Sequence, residues 1–156
     1  MNTTPNQGLG LPWWAIIGLA LLAVPRVVLH DLHLIDEGTW LNALFVWVPP
    51  IVWITVVVAK RIPRPFVALL SVGVVYGLLL AGGHLLFWDQ AFPAGNPQLG
   101  GNLADIDPVA QSLIFKTFAT FSSGVTGTLV GVICGLIATG LSKLIYRSPH
   151  TGGSST

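Results

Sequence analysis

The residues best suited to chemistry gather in one short segment, PRVVLHDLHLIDEG, which covers residues 25–38. This segment holds one arginine, two histidines and three carboxylates, in a chain of which only 8% of the residues are charged. Imidazole and carboxylate groups are the side chains that most often carry protons or bind metal ions. The segment is therefore the first candidate for a ligand site or a proton site.

The spacing within this segment allows several side chains to share one ligand. His30 and His33 are three residues apart, and His33 and Glu37 are four apart, so a continuing helix would place them on one face. The alternative is a solvated helix end, closed by a turn at Gly38, with Thr39 capping the next helix. We predict a ligand or proton site formed by the following residues: His30, Asp31, His33, Glu37, His84 and Asp89.

Two cofactor hypotheses follow from the histidines. A closed metal site needs three or four well-placed ligands, and haem bound by two histidines needs two facing helices, which His30 and His84 could provide. The turn-like composition of the segment argues against both hypotheses, and the single cysteine, Cys134, forms neither a disulfide nor a thiolate cluster. We expect no cofactor, and we keep a haem or a metal ion as the alternative.

Transmembrane helices are the elements that must position these residues. The chain is 53% hydrophobic and contains six tryptophans, and a helix needs roughly 20 apolar residues to cross about 30 Å of hydrocarbon. Four runs are long enough: 12–34, 40–59, 66–88 and 109–142. We predict an all-α membrane protein with one compact four-helix domain at 12–147, a flexible N-terminus at 1–11 and a disordered tail at 148–156.

The first apolar run is predicted to stay in the protein as a transmembrane helix. A cleaved secretory signal would need a basic segment before the apolar run and a small-residue cleavage site after it. Residues 1–12 contain no Lys or Arg, and the run ends at Pro25 and Arg26 without such a site. The first span is therefore counted with the other three.

Charge is sorted between the two ends of the predicted helices. Lys60, Arg61 and Arg64 lie between spans two and three, and Lys143 and Arg147 follow span four, so we name this side the basic end. All six acidic residues fall in the other two connections, at the acidic end. Lys and Arg in short loops stay on the cytoplasmic side. We therefore predict that both termini are cytoplasmic, in a membrane of the bacterial inner-membrane type.

Two cations break this sorting because they lie inside apolar sequence. Lys116 is about two turns into span four, and we expect its side chain to reach back to the acidic end. Arg26 is deeper, where a charge needs a partner, and the candidates are Asp31, Asp89 and carbonyls that proline leaves without a donor. Arg26 is either part of a structural ion pair, or a charge in a solute or proton path, or an anchor for an anionic lipid head group.

Small residues recur every four positions in spans three and four. Helices in lipid gain little from the hydrophobic effect and associate closely only where flat faces allow dispersion contacts. The faces consist of Gly73, Gly77 and Ala81 in span three and of Ser123, Gly127, Gly131 and Gly135 in span four. We predict that these spans pack tightly, either on each other or between the copies of a homo-oligomer.

Two consecutive prolines, Pro49 and Pro50, lie near the middle of span two. They remove two backbone donors and are predicted to kink the helix. The kink is either a static bend or a hinge that lines a cavity, as in transporters.

The known catalytic and nucleotide-binding motifs are missing from the sequence. It contains no nucleophile elbow, phosphate loop, HExxH or CxxC motif, and its apolar runs leave no room for a nucleotide or nucleic-acid site. We predict a non-enzymatic channel, small transporter or accessory subunit of a membrane complex. Its partners would be the lipid bilayer and either further copies or other membrane subunits, with assembly through the glycine faces. The alternative is a membrane redox, metal or haem protein that uses His30, His33 and His84.

The charge sorting predicts which loops face the outside of the cell. In intact cells, Asn102→Cys should react with a membrane-impermeant maleimide, whereas Ile62→Cys should react only after the cells are opened, because Ile62 lies in the basic loop. Labelling of intact cells at position 62 alone would invert the predicted orientation.

Overall fold

The protein is helical throughout the part of the chain that the structure describes. The structure, a computed structural model, describes residues 10–95 and 97–146, and these ranges contain no β-strand. Four helical segments are long and apolar enough to cross a membrane: Trp13–Asp31, Trp40–Ala59, Pro65–Leu86 and Pro108–Ile145. The prediction of four helical segments long and apolar enough to cross a membrane is thereby confirmed. The predicted tail at 148–156 and residues 1–9 of the predicted flexible N-terminus lie outside the described residues.

The first span consists of two helices, where a single helix was expected. Helix α1 covers Trp13–Leu21 and helix α2 covers Val24–Asp31. The break precedes Pro25, whose ring has no N–H to donate and clashes with the carbonyl four residues earlier. The indole Nε1 of Trp53 donates a hydrogen bond of 2.7 Å to the carbonyl of Leu19 at this break. A neighbouring helix therefore supplies a donor where the first span is interrupted.

Helix α3, Trp40–Ala59, continues through both of its prolines. Its first turn is capped as expected, because Thr39 Oγ1 accepts a hydrogen bond of 3.2 Å from the backbone N–H of Asn42. Pro49 is fully buried among the helices, and Pro50 is partly buried. The helix that is interrupted beside a proline is thus the first span, before Pro25. The kink expected in α3 at Pro49 and Pro50 stays a prediction.

The second half of the protein contains the longest helix. Helix α4 covers Pro65–Leu86, the short helix α5 covers Trp88–Ala91, and helix α6 covers Pro108–Ile145. Asp107 caps α6 by accepting hydrogen bonds from the first backbone N–H groups, as the Asp-Pro pair predicts. With 38 residues, α6 is about 57 Å long and extends well beyond a hydrocarbon core of about 30 Å.

Helices α4 and α6 make the most extensive helix contact, and small residues allow it. Gly73 and Gly77 of α4 face Ser123, Gly127 and Gly131 of α6, with backbone against backbone. A Cβ atom added at Gly131 would lie only 2.8 Å from the carbonyl oxygen of a facing residue in α4. The small residues of α6 are therefore in contact with α4 within one chain.

The remaining helices pack around this pair. The largest fully buried side chains come from α1, α3 and α4: Ile16, Trp53, Val57, Leu69 and Val72. At the basic end, the Tyr146 hydroxyl donates a hydrogen bond of 3.0 Å to the carbonyl of Val58, and the Arg61 guanidinium lies 4.4 Å from the centre of the Tyr146 ring. These contacts fix the basic-end terminus of α6 to the end of α3.

The α4–α6 contact predicts different effects for the same substitution at two glycines of α6. Gly131→Leu should lower the free energy of unfolding by about 1 to 3 kcal/mol, because the added atoms overlap the α4 backbone. Gly140→Leu is the matched control, since a Cβ atom there meets nothing within 4 Å. Thermal unfolding of both variants in detergent checks this expectation. Equal stability of the two variants would contradict the close packing of α4 on α6.

Candidate functional site

A cavity of about 360 Å³ lies at the acidic end, between α2, α4, α5 and α6. We call it the histidine pocket. Its polar wall consists of His30, Asp31, His33, His84 and Ser122. Its aromatic wall consists of Trp88, Phe92, Phe115 and Phe118. Four of the six predicted site residues therefore line one cavity.

The carboxylate of Asp31 is the centre of the polar wall. Asp31 is only 3% exposed, although it is the last residue of α2. Its Oδ2 lies 2.7 Å from Nδ1 of His84, and its Oδ1 lies 3.3 Å from Nδ1 of His30. Each ring can donate an N–H to the carboxylate, which provides the hydrogen bonds that a buried carboxylate needs. The short bond to His84 also links α2 to α4.

His84 is the residue that presents an open nitrogen. Within the part of the chain that the structure describes, its Nε2 has no hydrogen-bond partner. When the neutral ring donates through Nδ1 to Asp31, Nε2 carries a lone pair. His84 therefore offers the pocket an acceptor for an N–H or O–H group.

His30 has no such free position, because both of its nitrogens lie near carboxylates. Its Nδ1 is beside Asp31, and its Nε2 lies 3.5 Å from Oε1 of Glu37, whose side chain is 78% exposed. The continuous helix that would have paired His33 with Glu37 does not form. Helix α2 ends at Asp31, and His33 has a left-handed φ of 55°. His33 is therefore an exposed residue at the rim of the pocket.

A metal ion or haem held by these residues stays a prediction. Across residues 10–95 and 97–146, no group of three or more His, Cys, Asp or Glu side chains could hold a metal ion. The His30 and His84 rings both point an Nδ1 atom at the Asp31 carboxylate, so only their Nε2 atoms could face an iron. Asp89, the remaining predicted site residue, is exposed and does not line the pocket.

The aromatic wall was missed by the sequence-based prediction. Trp88 is buried and its ring lies 4.9 Å from that of Phe92. Lys116 reaches back to the acidic end, as expected, and its ammonium group lies 5.5 Å from the Trp88 ring centre. Phe115 and Phe118 are three positions apart on α6, a spacing that indicates a shared helix face.

Gln111 organises the long connection between α4 and α6, and this role was not predicted from the sequence. Its Oε1 accepts a hydrogen bond of 3.1 Å from the backbone N–H of Leu99. Its Nε2 donates to the carbonyls of Ala104 and Ile106, at 3.3 and 3.0 Å. An amide in the first turn of α6 thus holds a connection that is rich in Gly and Pro.

Arg26 is paired with neither of the carboxylates predicted for it. Its Nε donates a hydrogen bond of 3.1 Å to Oδ1 of Asn42, and Tyr76 lines the same cavity as Arg26. Asp31 is unavailable because both of its oxygens face imidazole nitrogens. The guanidinium therefore belongs to a separate site between α2, α3 and α4.

In comparisons with known proteins, the chain matches no family model, no curated protein and no solved structure.

Proposed function

We propose that this multi-pass membrane protein is a non-enzymatic channel, small transporter or accessory subunit that binds a small organic solute in the histidine pocket. The single observation that carries the proposal is the buried Asp31 carboxylate, which backs the open Nε2 of His84 in a cavity with four aromatic side chains. Such a mixture of an apolar wall and a few converging polar groups is typical of small-molecule sites.

Binding is favoured over nucleophilic catalysis by the orientation of Ser122. A serine nucleophile needs its hydroxyl to donate to the catalytic base. The Ser122 hydroxyl instead donates a hydrogen bond of 3.1 Å to the carbonyl of Ala119 in its own helix. Asp31 and His84 are therefore better explained as a hydrogen-bonding pair for a bound solute than as two members of a catalytic triad.

The solute that suits this pocket is a small amine or other organic cation. Asp31 and Glu37 bring negative charge to the site, and aromatic faces attract cations when water is excluded. An N–H donor of the solute would also meet the acceptor nitrogen of His84. A solute carrying a net negative charge would meet the Asp31 carboxylate on the polar wall.

The predicted orientation determines the side of the membrane to which the histidine pocket opens. With both termini in the cytoplasm, the acidic end and the histidine pocket would open to the outside of a bacterial-type inner membrane. The four spans would form one compact bundle around the α4–α6 contact. Further copies or other membrane subunits would bind to the lipid-facing surfaces of α3 and α6, because the glycine stripe is already covered within the chain.

The alternative, a membrane redox or metal protein, has one observation in its favour. His84 presents a single open nitrogen beside aromatic rings, and one such ligand can complete a site whose other ligands come from a partner. An absorbance spectrum and a metal analysis of the purified protein separate this alternative from solute binding. A Soret band or a stoichiometric metal ion would favour the alternative.

Substitutions in the pocket test solute binding directly. Phenyltrimethylammonium, titrated by calorimetry into the purified protein, should bind about tenfold more weakly to Asp31→Asn, because the loss of one charged partner costs about 1.4 kcal/mol or more. His84→Asn should weaken the binding of benzylamine, which donates N–H groups, more than that of phenyltrimethylammonium, which has none.

Asp89→Asn is the matched control, because Asp89 is an exposed carboxylate at the same end of the protein and does not line the pocket. It should bind both probes as the unaltered protein does. Thermal unfolding of each variant verifies that the helices remain packed. Equal affinity of all four proteins, or no binding by the unaltered protein, would contradict the proposed function.

A further inference from the structure

A second cavity, of about 180 Å³, lies deeper in the helices and opens between α3 and α6. We call it the Arg26 groove. Its floor is buried and largely apolar, and it consists of Ala23, Pro49, Trp53 and Tyr76. Its exposed rims are formed by Val46 on α3 and Thr126 on α6. The open side therefore faces the region that lipid would occupy around membrane-spanning helices.

The charge of Arg26 has no opposite charge within the described chain. No Asp or Glu oxygen of residues 10–95 and 97–146 lies within 4.0 Å of its guanidinium, and its neighbours Asn42 and Tyr76 are neutral. A guanidinium stays charged in proteins and carries five N–H donors, of which Asn42 takes one at Nε. A charge inside a membrane is costly unless an opposite charge compensates it. An anionic group from outside the described residues would therefore compensate the charge of Arg26.

The position of Arg26 along the helices indicates where that anion comes from. Asn42 follows Trp40, the first residue of α3, by two residues. The guanidinium therefore forms its hydrogen bond with Asn42 about 3 Å below the start of α3. Tryptophan is enriched where membrane and water meet. The polar end of the groove thus lies at the depth that a lipid phosphate reaches.

The rest of the groove has the character of an acyl-chain slot. Along α3, Pro49 and Trp53 are about 14 and 20 Å deeper than Trp40. Both side chains are buried and apolar over most of their surface. A cationic end near the interface, followed by an apolar floor that runs toward the membrane centre, is complementary to the phosphate and one chain of a phospholipid.

We propose that the phosphate group of a membrane phospholipid binds Arg26, with one acyl chain along the floor of the groove. The bound phosphate would accept charge-assisted hydrogen bonds from the remaining guanidinium N–H groups. The Thr126 hydroxyl makes no hydrogen bond with other described residues and offers a further donor at the rim. This site is separate from the histidine pocket and does not depend on the proposed function.

Native mass spectrometry of the detergent-purified protein tests the proposal. Three probes are titrated: dioctanoyl phosphatidylglycerol, dioctanoyl glycerol, which has the same chains without the phosphate, and inorganic phosphate. We expect saturable binding of the phosphatidylglycerol and no comparable binding of the other two. Arg26→Gln should weaken that binding at least about tenfold, because it removes a charged donor.

Two further variants make the result specific to the groove. Lys116→Gln removes the other cation that lies within apolar sequence and should bind the lipid as the unaltered protein does. Val46→Trp fills the open rim, leaves Arg26 in place and should weaken binding, so it replaces Arg26→Gln as the test if that variant fails to fold. Unchanged binding by either groove variant would overturn the proposal. Equal binding of dioctanoyl glycerol, or displacement of the lipid by inorganic phosphate, would also overturn it.

Discussion

Close helix approach through glycine is the interaction on which the described structure depends. Helices in lipid have little hydrophobic reason to associate, so their separation is set by how near the backbones can come. Helix α4 allows such close approach on two of its sides. Gly73 and Gly77 meet the backbone of α6, and Gly83 meets the side chain of Val27 in α2. A β-carbon at Gly73 or Gly83 would overlap its neighbour, so the positions of α2 and α6 follow from these residues.

The histidine pocket is a consequence of the second of these contacts. Asp31 lies one helical turn beyond Val27 in α2, and His84 directly follows Gly83 in α4, so the packing of Val27 on Gly83 brings the carboxylate and the imidazole together. Once they meet, the hydrogen bond of 2.7 Å supports the burial of Asp31. The proposed binding chemistry therefore rests on a packing contact that contains no polar atom.

The features that the sequence revealed are local ones. Length and apolarity identified the four helical segments that could cross a membrane, and the capping chemistry of Thr39 and Asp107 marked the starts of α3 and α6. Pairings between distant residues were not accessible in this way. Asp31 and His84 are 53 positions apart and Arg26 and Asn42 are 16 apart, and their contact depends on how each helix is rotated about its axis. The spacing of residues along a helix predicts which side of that helix forms contacts, but it does not predict which other helix makes them.

The contact between α2 and α4 can be measured by disulfide formation. The Cβ atom of Val27 lies 3.8 Å from the position of a Cβ atom at Gly83, a separation typical of disulfides. Val27→Cys combined with Gly83→Cys, in a Cys134→Ala background, should oxidise to a bond within one chain, detected by mass. Gly82→Cys in place of Gly83→Cys is the control, because a Cβ atom there meets nothing within 4 Å. Efficient oxidation of the 27–83 pair alone is the predicted result. The absence of that bond, or equal oxidation of the control pair, would contradict the packing that creates the histidine pocket.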